Sequence, residues 1–237
     1  FRDDEIFDLH ENESVFIPLG ATHYLDTRTL DRFMTIATFT GGIASTNAFI
    51  LKGPSGTVMV DAPEGAASWA EASGDVPDAL LLTHAHFDHV LDASAIQERW
   101  KCPLYGFAPP TPELTLEVLF PPGGSSIAVR PYSISEIQEG DRVEVAGFDF
   151  TVLHIPGHST DSLLFHLDSE KYLFGGDVLM QGGVGRTDFP GGSEAALLGG
   201  IRDKLLPLDQ ATVVFPGHGP RTTIGAEKAS NPFLQGL

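Results

Sequence analysis

Short apolar runs separated by polar, glycine-rich joints set the pattern of this chain. Runs at 34–39, 47–51, 57–61, 79–82, 104–106, 142–145, 148–155, 163–167, 172–174 and 212–215 have strand length and are bounded by Gly, Pro, Asn, Asp or Ser. A further strand is predicted at 15–17. Gly41-Gly42, Ser55-Gly56 and Ala146-Gly147 sit where turns would join consecutive strands. Helical spacing occurs at 65–73 and at 90–100, where Val90, Leu91, Ile96 and Trp100 share a face. Thr111 and Pro112 have the chemistry of an N-cap and first position of a short helix. Ser193 heads a helix over 194–206, with Leu197, Leu198, Ile201 and Leu205 facing inward. A last short helix follows Thr223 and ends near Asn231-Pro232. Both halves repeat strands followed by helix, which predicts an α/β chain built as a two-layered sheet sandwich clad by helices.

Chemistry appears where the strands stop. The run Ala79-Leu80-Leu81-Leu82 leads into Thr83-His84-Ala85-His86-Phe87-Asp88-His89, which places four metal-ligand side chains within six residues. Strand 148–155 leads into Pro156-Gly157-His158, strand 172–174 into Gly175-Gly176-Asp177, and strand 212–215 into Pro216-Gly217-His218. Ligands carried on the ends of several buried strands are held rigidly enough to build one site. Imidazole nitrogen and carboxylate oxygen together suit Zn²⁺, Fe²⁺ and related ions.

Seven residues result: His84, His86, Asp88, His89, His158, Asp177 and His218. One ion cannot use all of them, so the set points to two divalent metals sharing a bridging group. A carboxylate bridges readily, and Asp177 arrives alone after two glycines, which makes it the expected bridge. Asp61 ends its strand near Thr83 and is either a hydrogen-bond acceptor for a ligand histidine or a turn acceptor. His154 and His166 fall inside strands and read as packing residues, with a supporting role open for His154; His10 and His23 read as surface or packing residues.

Composition narrows the field. The 237 residues are 42% hydrophobic and 19% charged, enough for a sizeable core. No run of 18 apolar residues is present, so no membrane span is expected. The net charge of −18, without a basic cluster, disfavours nucleic acid as a partner. The single cysteine, Cys102, rules out an intramolecular disulfide and a cysteine-rich zinc site, and reads as a half-buried free thiol. A chain without disulfides fits a cytoplasmic location.

These residues resemble the metallo-β-lactamase superfamily, in particular its glyoxalase II-like branch of small bacterial hydrolases. The resemblance runs from about Phe33 to Leu234 and rests on Thr83 to His89, Pro156-Gly157-His158-Ser159, Gly175-Gly176-Asp177, Gly185-Arg186-Thr187-Asp188-Phe189-Pro190-Gly191-Gly192 and Pro216-Gly217-His218-Gly219-Pro220. It implies an αββα fold with the site at one edge of the two sheets. It assigns His84, His86 and His158 to one metal and Asp88, His89 and His218 to the other, with Asp177 bridging and Asp88 also orienting the attacking water. Zn, Fe and Mn occur in such enzymes. The implied activity is hydrolysis of S-lactoylglutathione or a related small-molecule thioester.

The resemblance is incomplete. Glyoxalase II carries a helical C-terminal domain that holds part of the glutathione, and only about twenty residues follow His218 here, so the expectation is a single domain over 1–237 with 1–30 as an N-terminal extension. Arg186 matches a basic residue of the family and can grip a carboxylate in bidentate fashion, or else pair with Asp188. The segment Gly185 to Phe189 is also similar to persulfide dioxygenases, which hold one iron through residues corresponding to His84, His158 and Asp177. That 2-His-1-carboxylate set makes an oxidoreductase the alternative. A β-lactamase fits less well because Asp177 occupies the bridging position, and a tRNA nuclease because no basic arm is present. A non-catalytic metal-binding module needs less than this complete ligand set.

Overall fold

Two six-stranded sheets pack face to face in this computed structural model, which describes residues 34–120 and 127–237. The strand predicted at 15–17, His10, His23 and the N-terminal extension lie outside the described residues. The first sheet is built from β1 (Thr35–Gly41), β2 (Thr46–Gly53), β3 (Gly56–Val60), β4 (Ala79–Leu81), β5 (Leu104–Gly106) and β6 (Ser135–Glu136), in that order. Helix α1 (Ala66–Ser73) crosses from β3 to β4, and α2 (Phe87–Val90) and α3 (Ala93–Trp100) cross from β4 to β5. The first three strands are antiparallel, and from β3 onward the neighbours are parallel.

The second sheet holds β7 (Arg142–Val145), β8 (Phe148–His154), β9 (Leu163–Leu167), β10 (Tyr172–Gly176), β13 (Val213–Pro216) and β14 (Thr222–Thr223), with β10 parallel to β13. A hairpin of β11 (Leu179–Met180) and β12 (Gly183–Val184) stands apart from it. Helices α4 (Glu194–Gly200) and α5 (Ile224–Ser230) cover the outer face.

Side-chain alternation explains the layering. Along β2, Phe49 and Leu51 point into the space between the sheets, while Ala48 and Ile50 point outward under α1 and α3. Phe150, Phe165, Phe174 and Phe215 fill the same inter-sheet space from the second sheet. On the far side, Leu164, Leu173 and Val214 meet Leu197, Ile201, Leu205 and Ile224. The central strands are therefore buried on both faces, which is why they read as continuous apolar runs. The arrangement is αββα, as expected.

Three helix expectations change. The helix predicted over 90–100 is broken after α2, where the Asp92 amide donates to the Ala62 carbonyl rather than within its own helix, and the Asp92 carboxylate accepts from the Gly65 and Ala67 amides at the start of α1. After Pro112 no α-helix forms; turns lead into a 3-10 turn at Glu117–Leu119, although Thr111 Oγ1 does accept from the Leu114 amide. The helix over 194–206 starts at its Ser193 cap as expected, then widens to π geometry over Ile201–Leu205. The widening follows Gly200, which lies so close to Ile155 that a Cβ there would collide with it.

Candidate metal centre

Strands β3, β4, β8, β10 and β13 all end at one edge of the sandwich, and the residues that follow them meet there. The two halves are stitched at this edge by backbone bonds from Leu163 N to Thr83 O and from Asn47 N to Gly217 O, while the bond from Gly217 N to Gly176 O ties the end of β13 to β10 within the second sheet. Glycine is required at 217, where a Cβ would run into the Asp177 carboxylate and the His89 ring, and at 176, where φ is +48° and a Cβ would strike Thr83.

The structure brings all seven predicted residues together. Donor atoms of His84, His86 and His158 lie within 4.8 Å of one another, and so do those of Asp88, His89 and His218. His84, His89 and Asp177 form a third such group and join the two. Asp177 Oδ2 lies 3.5 Å from His158 Nε2 and 3.3 Å from His218 Nε2, and its Oδ1 lies 3.4 Å from His89 Nε2. Asp88 Oδ2 is 3.4 Å from His218 Nε2 and 3.6 Å from His89 Nε2.

Three of the imidazoles are turned by a partner on the other nitrogen. His89 Nδ1 donates to Asp61 Oδ2 at 2.9 Å, so Asp61 takes the ligand-supporting role rather than that of a turn acceptor alone. Asp61 Oδ1 accepts from the Thr83 amide at 2.8 Å, which ties the ligand loop to β3. His158 Nδ1 donates to the Arg186 carbonyl at 2.8 Å. His84 Nδ1 contacts Thr83 Oγ1 at 3.1 Å. The Asp161 carboxylate, buried and bonded to Ser159, accepts from the Ala85 amide at 2.9 Å and so holds the loop between His84 and His86.

What remains unpaired fits a cation. Among the described residues, the buried side-chain atoms without a hydrogen-bond partner are His84 Nε2, His89 Nε2 and Asp177 Oδ1, and all three belong to this cluster. Orphaned buried polar atoms are costly, and a divalent ion satisfies them. Protonation follows the same logic. Burial pushes His84 well down, His86 down to about 3 and His158 down, so these three are neutral and ready to coordinate at pH 7. Burial also opposes the charge on His218, but its hydrogen bonds to Asp177 and Asp88 prevail and raise it to about 10. His89 is raised against its burial by Asp88, Asp177 and Asp61.

His86, Asp88, His158, Asp177 and His218 line the floor of a cleft of about 430 Å³, whose walls include Ala44, Phe87, Leu116, Met180, Val184 and Phe189. Arg186 also lines it, with its guanidinium 4.1 Å above the Phe189 ring. Arg186 makes the expected ion pair: Nε and an Nη donate to the two Asp188 oxygens at 2.6 and 2.5 Å, on an exposed rim.

The other described histidines stay apart. His154 bonds the Thr160 carbonyl and stacks on Phe107, and His166 is buried in β9. Burial pushes the Cys102 thiol up to about 11, in keeping with packing rather than reactivity. Thr46, Asn47, Asp161 and the cleft walls went unnoticed in the sequence. The polar pair Thr46-Asn47 at the head of an otherwise apolar run was the one available signal.

A sequence profile described as the metallo-beta-lactamase superfamily matches residues 41–218. The chain belongs to the metallo-β-lactamase superfamily. Its members are typically metal-dependent hydrolases, and this one is glyoxalase II-like. An uncharacterized protein of Mycobacterium tuberculosis is 35% identical over 230 residues, covering 86% of this chain and 99% of that protein. The hydroxyacylglutathione hydrolase GloC of Haemophilus influenzae is 40% identical over 162 residues, covering 65% of this chain and 74% of GloC. Among solved structures, the BLEG-1 B3 metallo-beta-lactamase superposes with a TM-score of 0.77 at 35% identity, over 85% of this chain and all of that one (100%). TTHA1623 in a di-iron-bound form gives 0.73 at 36% identity, over 84% and 100%. ETHE1 from Myxococcus xanthus gives 0.67 at 27% identity, over 84% of each chain. No helix among the described residues is long and apolar enough to cross a membrane.

Proposed function

We propose that this protein is a dinuclear metal-dependent hydrolase of thioesters, of the glyoxalase II type, acting on S-lactoylglutathione or a related small-molecule thioester. The observation that carries the reading is the pair of three-donor groups facing each other across Asp177 at the floor of an apolar-walled cleft. His84, His86 and His158 would hold one ion, and Asp88, His89 and His218 the other, with Asp177 touching both. Likeness to GloC and to a di-iron structure supports the substrate class and the metal count. Zn is the first choice for the ions, with Fe or Mn also suited to these donors. When bound, such ions bring the pKa of water from 15.7 down to about 7 and polarise an acyl oxygen.

The chain's own residues do the rest. Asp88, fixed by Thr46, orients the attacking water and takes its proton. Phe87, Leu116, Met180 and Phe189 keep bulk solvent from the acyl carbon. Arg186 offers a carboxylate of the substrate its guanidinium in exchange for Asp188. The thioester C–S bond breaks, the acyl carbon gains the water oxygen, and the thiol leaves with a proton.

The test is hydrolysis of S-lactoylglutathione by protein whose metal content is measured on the same sample. Turnover with about two ions per chain supports the reading; a fully metallated protein without turnover removes the named substrate. The second reading, a one-iron persulfide dioxygenase, is favoured by the likeness to ETHE1 from Myxococcus xanthus and by the Gly185 to Phe189 segment. Oxygen uptake with glutathione persulfide at one iron per chain would select it.

A further inference from the structure

Thr46 and Asn47 are buried neighbours at the start of β2, and each reaches a different part of the group Asp88, His89 and His218. Successive strand residues point to opposite faces, so the pair works in two directions. Thr46 Oγ1 donates to Asp88 Oδ2 at 2.6 Å, the oxygen that also faces His89 and His218. Asn47 turns the other way and holds the loop that carries His218. Its backbone amide donates to Gly217 O at 2.7 Å, and its Nδ2 donates to Pro216 O at 3.0 Å and Gly219 O at 2.8 Å. The Asn47 amide is itself oriented by Thr40, whose hydroxyl donates to Oδ1 at 2.8 Å. A lone antiparallel bridge between Thr46 and His218 completes the joint.

The group His84, His86 and His158 is supported elsewhere, by Thr83, Asp161 and the Arg186 carbonyl. Asp88 and His218 come from opposite halves of the chain, and β2 is the element that bonds to both.

We infer that Thr46 and Asn47 are positioning residues that set the affinity of the Asp88–His89–His218 position separately from that of the His84–His86–His158 position. The inference rests on the two-metal reading above. The hydroxyl of Thr46 aims the Asp88 carboxylate, and Asn47 fixes the approach of His218, so loss of either widens this position and leaves the other intact.

The experiment is titration of chelator-stripped protein with Zn²⁺ against a chromophoric competitor, for the unsubstituted chain, Thr46→Val and Thr46→Ser. Thr46→Val keeps the side-chain shape and removes only the donor. The expected result is an unchanged first binding step and a second weakened by roughly 10–100-fold, the range for loss of a group that orients a ligand. Thr46→Ser should restore the second step. Circular dichroism of the metal-free variants reports whether they fold. Equal weakening of both steps, or no weakening in a folded Thr46→Val, overturns the inference while leaving the two-metal reading in place. Uptake of a single ion by the unsubstituted chain overturns the two-metal reading itself, and the inference with it. An Asn47→Leu variant that folds provides the second arm, with the same selective loss expected.

Discussion

Asp61 and His89 form the buried pair on which the ligand geometry turns. Asp61 Oδ2 accepts from His89 Nδ1 at 2.9 Å, while Oδ1 accepts from the Thr83 amide at 2.8 Å. With Nδ1 donating to Asp61, Nε2 is the nitrogen left for a metal ion, buried and aimed at Asp88 and Asp177. Asp61 has φ of +59°, a left-handed conformation that Asn also tolerates. Asp61→Asn should therefore fold, yet its amide NH₂ would face Nδ1 and force the His89 proton onto Nε2. Metal affinity at that position should drop by roughly 10–100-fold, measured by competition with a chelator. Undiminished affinity would show that the tautomer is not set by Asp61.

The proposed function gives Asp88 a second task beyond supplying a donor atom. Asp88→Ala should lower kcat by roughly 10²–10⁴-fold, the usual contribution of a positioned base. Metal analysis of the same variant separates the two tasks: a variant that keeps both ions and still loses turnover has lost the base. Full turnover in Asp88→Ala would sink the mechanism.

The proposed function has Arg186 act through binding. Its carbonyl holds His158 whatever the side chain is, so Arg186→Met leaves that support in place. The guanidinium is exposed and already paired with Asp188, so its contribution is that of a rim charge. Steady-state kinetics with S-lactoylglutathione should show KM raised about 3–10-fold with kcat little changed. Asp188→Asn frees the guanidinium and should move KM the other way. A fall in kcat at constant KM would place Arg186 in the chemical step instead.

The metal-free protein should be most stable near neutral pH. His86, held at about 3 by burial against an ordinary value of about 6.5, makes the folded chain bind fewer protons than the unfolded one between those values. Its contribution is lost as pH falls below about 6.5. Asp88 and Asp177 sit below the ordinary carboxylate range despite burial, because His89 and His218 face them, and they add to the loss at acid pH. His218 runs the other way: raised to about 10, it stabilises fully below about 6.5 and ceases to do so as pH rises through about 10. Thermal unfolding with excess chelator should give a Tm that declines on both sides of neutrality. Zn²⁺ should raise Tm at neutral pH and lose its effect in acid, where the ligands are protonated. A flat Tm from pH 5 to 9 would contradict these assignments.

Much of this was written in the chain. The apolar runs fixed which segments are strands, because residues buried on both faces must be apolar throughout, and the His and Asp residues at their ends marked the seven side chains that meet at one edge. The sequence could also present Arg186 as a choice between substrate and Asp188. It could not show that the guanidinium lies over the Phe189 ring at the rim of the cleft. Nor could it foresee that Asp92 would leave its own helix for the amides of α1, since both partners exist only after α1 and α3 pack on the first sheet. Thr46 and Asn47 show the limit most plainly. They stand 42 and 169 residues from their partners Asp88 and Pro216, and no local propensity records a hydrogen bond of that span. Local residue types dictated the elements and the donors. Long-range polar contacts, formed only when the two sheets close, decided how the donors are aimed.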